Sequence, residues 1–271
     1  MDKNRVILDV DAGVDDAMAI ILAMHSPELE VVAITTVSGN THVDNCTKNV
    51  LRVLALLQGD KPPIVARGEE RPLKKEPHLA TSVHGHDGLG DLGDDYYPPL
   101  NWDLVSSKPA VEVVPELLKR ESGQITVVAT GPLTNIARAI ETAPTAMAQA
   151  KEIVIMGGAV NQSGNIPPLG VAEFNIYVDP DALEVVLGFT VPVTLVPLDV
   201  THKVRLMRRR AHKELATPSG AVPRFVVHCS KKYMDFHRDE GGFDGAYLHD
   251  PLAVGVVIDP SLVKTEPMHL Y

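Results

Sequence analysis

Hydrophobic positions along this chain come in short β-branched runs that alternate with stretches of helical period. The runs predict strands at 5–8, 30–35, 64–66, 124–129, 152–156 and 192–196. The intervening stretches predict helices at 16–25, 43–57, 110–120, 133–141, 181–187 and 251–258. Strands separated by helices need crossover connections, and such crossovers are right-handed. The expected fold is therefore α/β, a single domain with an open, mainly parallel sheet flanked by helices. No internal repeat and no linker-like composition divides the chain.

Two stretches break the alternation. Residues 68–104 are rich in Gly, Pro, Asp and His and include His84-Gly85-His86-Asp87-Gly88-Leu89-Gly90. Residues 157–180 open with Gly157-Gly158 and carry Asn165, Pro167, Pro168, Glu173 and Asn175. Loops this long inside a compact domain are functional or disordered, and their polar chemistry favours function.

Composition narrows the class. With 271 residues, 45% apolar and 22% charged, the chain can build a core without disulfides or structural metals. A net charge of −10 argues against a nucleic-acid partner, which calls for a basic face. The basic cluster Arg208-Arg209-Arg210, with Arg205 and Lys213, reads as a solvated helix face in preference to a phosphate patch. Cys46 and Cys229 are not spaced as metal ligands and are expected as free thiols, in helices, in a reducing compartment. The chain enters its first strand without the apolar stretch of a signal peptide, and no segment approaches eighteen uninterrupted apolar residues. A cytoplasmic protein with no membrane partner is expected.

The richest chemistry lies in Leu8-Asp9-Val10-Asp11-Ala12-Gly13-Val14-Asp15-Asp16-Ala17, between the first predicted strand and helix. Open α/β sheets bind ligands at the carboxyl ends of their strands, which is where these acids fall. Two carboxylates ~4 Å apart repel by about 4 kcal/mol at an effective dielectric of ~20. Some must hold protons, or a divalent cation must sit among them. An Asp-rich cap and turn is the plainer reading, but a cap uses one aspartate or two, not four.

Other candidates lie downstream. In His249-Asp250-Pro251, Asp250 reads equally as a helix N-cap or as a carboxylate aimed above the sheet. Asp11, Asp16 and Asp250, with the Thr130 carbonyl before Gly131-Pro132, would form an oxygen-only ligand set. Such a set favours a hard cation over zinc. His249, beside a carboxylate, is a candidate general acid. Glu173 and Asn175 are expected on one side of an extended segment. With Asn40 and Asn165 they form a hydrogen-bonding set suited to sugar hydroxyls. Dinucleotide-binding, P-loop and Gly-x-Ser-x-Gly patterns do not occur.

Together the chain resembles the nucleoside hydrolase family of the inosine–uridine-preferring type. The resemblance rests on five ordered stretches: Asp9-Val10-Asp11-Ala12-Gly13-Val14-Asp15-Asp16-Ala17; Val37-Ser38-Gly39-Asn40; Gly131-Pro132-Leu133-Thr134-Asn135; Met156-Gly157-Gly158 with Glu173-Phe174-Asn175; and His249-Asp250-Pro251. It implies one catalytic domain over 1–271 and hydrolysis of the N-glycosidic bond of ribonucleosides. It implies Ca²⁺ held by Asp11, Asp16, Asp250 and the Thr130 carbonyl, with Asp11 as the base that takes a proton from calcium-bound water. Ribose would be held by Asp15, Asn40, Asn165, Glu173 and Asn175, with His84 as a further pocket histidine. His249 would be the acid for the departing base. Because the family's purine-specific branch relies on aromatic stacking, one tryptophan (Trp102) and the presence of His249 lean the chain toward nonspecific or pyrimidine-preferring relatives. A homodimer or homotetramer is implied as well.

The chain departs from the family pattern in three places. Val10 and Ala12 stand where relatives usually carry Thr and Pro. The Asn165 to Glu173 spacing is about two residues longer than usual. The C-terminal extension usual in relatives is expected to be missing after Tyr271. Two other readings remain open at this point: an aspartate-nucleophile phosphatase, and a ribose- or nucleoside-binding protein without turnover.

Overall fold

The computed structural model describes residues 3–59, 61–166, 170–215 and 220–269; Pro167 and Pro168 lie outside the described residues. In chain order the elements are β1 (Asn4–Val10), α1 (Val14–His25), β2 (Leu29–Thr36), α2 (Val43–Leu57), β3 (Ile64–Arg67), α3 (Thr81–His84) and α4 (Ala110–Arg120). Next come β4 (Ile125–Ala129), α5 (Thr134–Thr142), α6 (Pro144–Met147), β5 (Glu152–Met156), α7 (Phe174–Val178) and α8 (Pro180–Leu187). The chain continues through β6 (Val193–Val196), α9 (Leu198–Thr201), β7 (Arg205–Met207), α10 (Arg208–Leu215), α11 (Ala221–Gly241), β8 (Gly245–Tyr247) and α12 (His249–Ile258).

Six strands pair in parallel in the order β3-β2-β1-β4-β5-β6. Alternate side chains of each strand feed opposite layers. Val6, Leu8 and Val10 of β1 join α1, α2, α11 and α12, whereas Ile7 joins α4, α5 and α8. Each fully buried aliphatic side chain in these layers contributes about 1.5–3 kcal/mol. Helix α12 buries Leu252, Ala253, Val254, Val256 and Val257, as a helix apolar on every side must. The expected fold class, a single α/β domain with a parallel sheet between helices, is the one observed.

The strand order reverses direction between β1 and β4, so the loops after these two strands diverge and open a crevice. Asp11 follows β1 and Thr130 follows β4, at the mouth of that crevice.

Three local expectations are corrected. The segment at Glu173-Phe174-Asn175 is not extended: Glu173 caps the five-residue α7, accepting the N–H groups of Asn175 and Ile176. A helix that short leaves no readable period. Asp250 is not an N-cap either, because Leu248 takes that place and Asp250 lies within the first turn of α12. The antiparallel pair β7–β8 was not anticipated, since three-residue strands carry almost no alternation. Cys46 and Cys229 are buried free thiols in α2 and α11.

Candidate active site

The four acids between Asp9 and Asp16 do not share one job. Asp9 is the single acid of β1, and its Oδ1 accepts from the Thr35 hydroxyl at 2.5 Å and the Asn135 amide at 2.7 Å. Its Oδ2 is buried with no hydrogen-bond partner among the described residues, and burial pushes its carboxyl up to about 6. Asp9 thus ties β1 to β2 and to the start of α5.

Asp11 is fully buried and held by Asn40, whose backbone N–H donates to Oδ2 at 2.7 Å and whose side-chain amide donates to Oδ1 at 2.9 Å. The same amide reaches Asp16 Oδ2 at 3.1 Å. Asp16 also accepts from the Gly13 N–H at 2.9 Å and the Thr130 hydroxyl at 2.7 Å. Gly39 lies so close that a Cβ there would run into the Asp11 carboxylate. Between β1 and α1, Ala12 takes a left-handed φ of 36°, a costly conformation for a residue with a Cβ.

Asp15, Asp16 and Asp250 come together from α1 and the first turn of α12, with one carboxylate oxygen of each lying within 4.8 Å of the other two. All three are buried. Burial, then the Asp16 charge, raises Asp15 to about 7; burial and Asp15 raise Asp250 well above the usual carboxylate range. Asp11 is raised likewise by burial and Asp16. These shifts report a site short of positive charge. A hard cation fits an all-oxygen, buried donor set of this kind.

The sugar-binding candidates surround this trio unevenly. Glu173 accepts backbone N–H groups from Asn175 at 3.0 Å, and from Ile176 and Gly158 at 3.1 Å each, and burial raises its carboxyl to about 7. Asn175 donates its side-chain amide to the Thr130 carbonyl at 2.8 Å and the Met156 carbonyl at 3.2 Å, clamping the ends of β4 and β5. Its own amide oxygen takes neither bond and stays available as an acceptor. His84 accepts the Val14 N–H on Nδ1 at 3.1 Å, lies 4.0 Å from Asp15 and stacks on Tyr233 with ring centroids 5.0 Å apart. Burial lowers its pKa to about 3, so the ring is neutral with its proton on Nε2. Asn165, by contrast, is exposed, and its backbone N–H donates to the Ala172 carbonyl at 3.0 Å.

His249 is buried at the start of α12, with Nδ1 2.8 Å from the Thr201 hydroxyl. The rings of Tyr247 and His202 lie 5.3 and 5.5 Å away. Burial, reinforced by His202, holds His249 well below the ordinary histidine range. Trp102 is 55% exposed and cannot serve as a buried stacking platform. Arg208 of the basic cluster pairs with Asp235 and Asp244 at 2.6 Å each.

Sequence reasoning left several participants without a role. Thr35 and Asn135 hold Asp9, the Cys46 thiol donates to the Asp11 carbonyl at 3.0 Å, and Thr201 meets His249. Only Asn135 carried a signal, as part of a quoted motif. Thr201 carried none, because a threonine after a strand has no distinctive spacing.

Comparison with known proteins bears on what this arrangement does. Residues 6–271 match the family described as inosine–uridine preferring nucleoside hydrolase. The chain is 40% identical over 263 residues to a pyrimidine-specific ribonucleoside hydrolase, RihA, of Salmonella schwarzengrund, covering 96% of this chain and 81% of that one. Among solved structures it is similar to a plant nucleoside hydrolase, with a TM-score of 0.86 at 35% identity, covering 97% of this chain and 81% of that one. It is also similar to a purine-preferring ribonucleoside hydrolase from Gardnerella vaginalis, with a TM-score of 0.87 at 33% identity, covering 97% and 83%.

Proposed function

Because the chain belongs to the inosine–uridine preferring nucleoside hydrolase family and is a ribonucleoside hydrolase, we propose that it cleaves pyrimidine ribonucleosides to free base and ribose with calcium as its ion. The observation that carries this reading is the trio of buried carboxylates Asp15, Asp16 and Asp250 at the β1/β4 crevice, with buried Asp11 joined to Asp16 through the Asn40 amide and His249 on the same helix turn as Asp250. The base preference draws on the pyrimidine-specific relative, to which the chain is 40% identical. A homo-oligomeric assembly belongs to the same proposal, and among the described residues no helix is long and apolar enough to cross a membrane.

Asp16 and Asp250 would hold the ion, with Asp11 and the Thr130 carbonyl completing an oxygen set. When bound, the ion lowers the pKa of the attacking water and orients it. Asp11, fixed by both donors of Asn40, accepts the water proton as the water oxygen bonds to the anomeric carbon. The bond from that carbon to the base nitrogen breaks through an oxocarbenium-like state. Asp15 and Glu173 supply negative charge near the ribosyl group, and the Asn175 amide oxygen accepts a hydrogen bond from a ribose hydroxyl. His249 would pass a proton taken up from solvent, through Nε2, to the departing base, whose electron pair would otherwise leave as an anion.

The test is release of base and reducing sugar from uridine, cytidine, inosine and adenosine, with calcium and with chelator. Calcium-dependent release fastest on uridine and cytidine is expected. Faster purine release would overturn the base preference, and full activity in chelator would overturn the ion.

A further inference from the structure

The acid assigned to the leaving base is itself held by a residue far away in sequence. Thr201 closes α9, directly after β6, and is fully buried. Its hydroxyl lies 2.8 Å from Nδ1 of His249, 48 residues away in sequence. The surrounding backbone makes that meeting rigid. Leu198 donates its N–H to the Gly158 carbonyl at 2.9 Å and Thr201 to Pro197 at 3.1 Å, which anchors α9 to the ends of β5 and β6. On the other side, Leu248 donates to the Val204 carbonyl at 3.0 Å, continuing the antiparallel β7–β8 pairing up to the residue before His249. The rings of Tyr247 and His202 flank the imidazole. Among the described residues none bonds to Nε2 of His249, so that nitrogen is the one left for a ligand.

A hydroxyl suits this place for a chemical reason. It can donate to a bare Nδ1 or accept from a protonated one, so it keeps the ring in one orientation whichever form the ring takes. A carboxylate would accept only, and an alkyl group would do neither. We propose that Thr201 is a positioning residue for the hydrolysis, fixing His249 through Nδ1 so that Nε2 is presented to the base of the bound nucleoside. The inference rests on the leaving-group role given to His249 above.

The test compares wild type with Thr201→Val, Thr201→Ser and His249→Ala, each loaded with calcium, on uridine and on p-nitrophenyl riboside. The aryl leaving group departs without a proton and does not need an acid. Thr201→Val preserves shape and removes the hydroxyl; it is expected to cut kcat on uridine by about 10- to 100-fold, as loss of a supporting partner does elsewhere. The aryl riboside should change by less than about threefold, and Thr201→Ser should restore most of the uridine rate. A general packing defect would lower both substrates alike and would not be rescued by serine. Equal losses on both substrates in Thr201→Val, or undiminished uridine turnover, overturns the inference if His249→Ala remains selective. If His249→Ala itself lowers both substrates equally, the acid reading of His249 falls, and the inference with it. Should Thr201→Val not fold, Thr201→Ser and Thr201→Ala carry the same comparison: serine must keep the uridine rate and alanine must lose it, with the aryl riboside little changed in both.

Discussion

Asn40 holds Asp11 with both of its donors, the backbone N–H on Oδ2 at 2.7 Å and the side-chain amide on Oδ1 at 2.9 Å. This grip turns a flexible carboxylate into one of fixed direction inside a buried pocket, where burial and the Asp16 charge keep its proton affinity high. A base so raised accepts a proton readily once a cation offsets its neighbours.

Asp11→Asn keeps the size of the side chain and removes its basicity. The fold should survive, and kcat on uridine should fall by at least the ~10²–10⁴ that general-base removal costs. Steady-state kinetics beside circular dichroism checks this, and near-wild-type turnover would free Asp11 from the assignment.

Gly39→Ala tests how closely the loop after β2 approaches the carboxylate. The new methyl meets the Asp11 side chain and the Pro132 ring, so one of them must move. A displacement of about 1 Å at a catalytic group costs on the order of 10²-fold in rate. Thermal melting with kinetics should reveal a large loss of kcat in a folded protein; unchanged kcat would mean that the loop yields instead.

Chelation should make stability fall with rising pH above about 6.5. Asp15 and Glu173, both raised to about 7, keep protons in the folded state that the unfolded chain has already released. Asp11 and Asp250 are raised as well. With more protons bound in the folded state, stability declines as pH climbs through the folded values. The buried His84 and His249 act oppositely, since their lowered values add stability as pH rises, but only up to the unfolded histidine value near 6.5. Between about pH 6.5 and 8.5 the carboxyls therefore decide the slope. The chelated protein should melt lower at pH 8.5 than at 6.5, and calcium should raise Tm more at the higher pH, because its ligands are then deprotonated. A chelated Tm that climbs over this interval would contradict the argument.

Asn135→Ala separates scaffold from chemistry. Its amide donates to Asp9 at 2.7 Å and the Thr36 carbonyl at 2.9 Å, and its oxygen accepts the Glu69 N–H at 2.8 Å. Leaving these buried groups unpaired should lower unfolding free energy by about 2–3 kcal/mol in urea titration. The folded variant should keep kcat/KM within about threefold; a larger drop would mean that Asp9 steers the catalytic loop as well as bracing it.

Much of this molecule was readable from local pattern. A β-branched run or a helical period is written in neighbouring residues, so the six strands of the parallel sheet and the six expected helices fell within a few positions of expectation, whereas the bounds of the 21-residue α11 were not anticipated. The acids after β1 were legible for the same reason: four carboxylates in eight positions, Asp9 to Asp16, are a charge problem in any fold. How they divide was not legible. Asp9 and Asn135 are 126 residues apart, and Thr201 and His249 are 48 apart. No period connects such pairs; Asp9 and Asn135 meet where β1 lies beside the turn that follows its parallel neighbour β4, and Thr201 and His249 meet through the antiparallel β7–β8 pairing. Folding likewise replaced the expected extended Glu173-Asn175 segment with a capped helix and left Asn165 exposed. Short-range periodicity specifies elements and the chemistry they carry. The partner that orients each functional group is set by long-range packing, where buried donors and acceptors must find one another once water is gone.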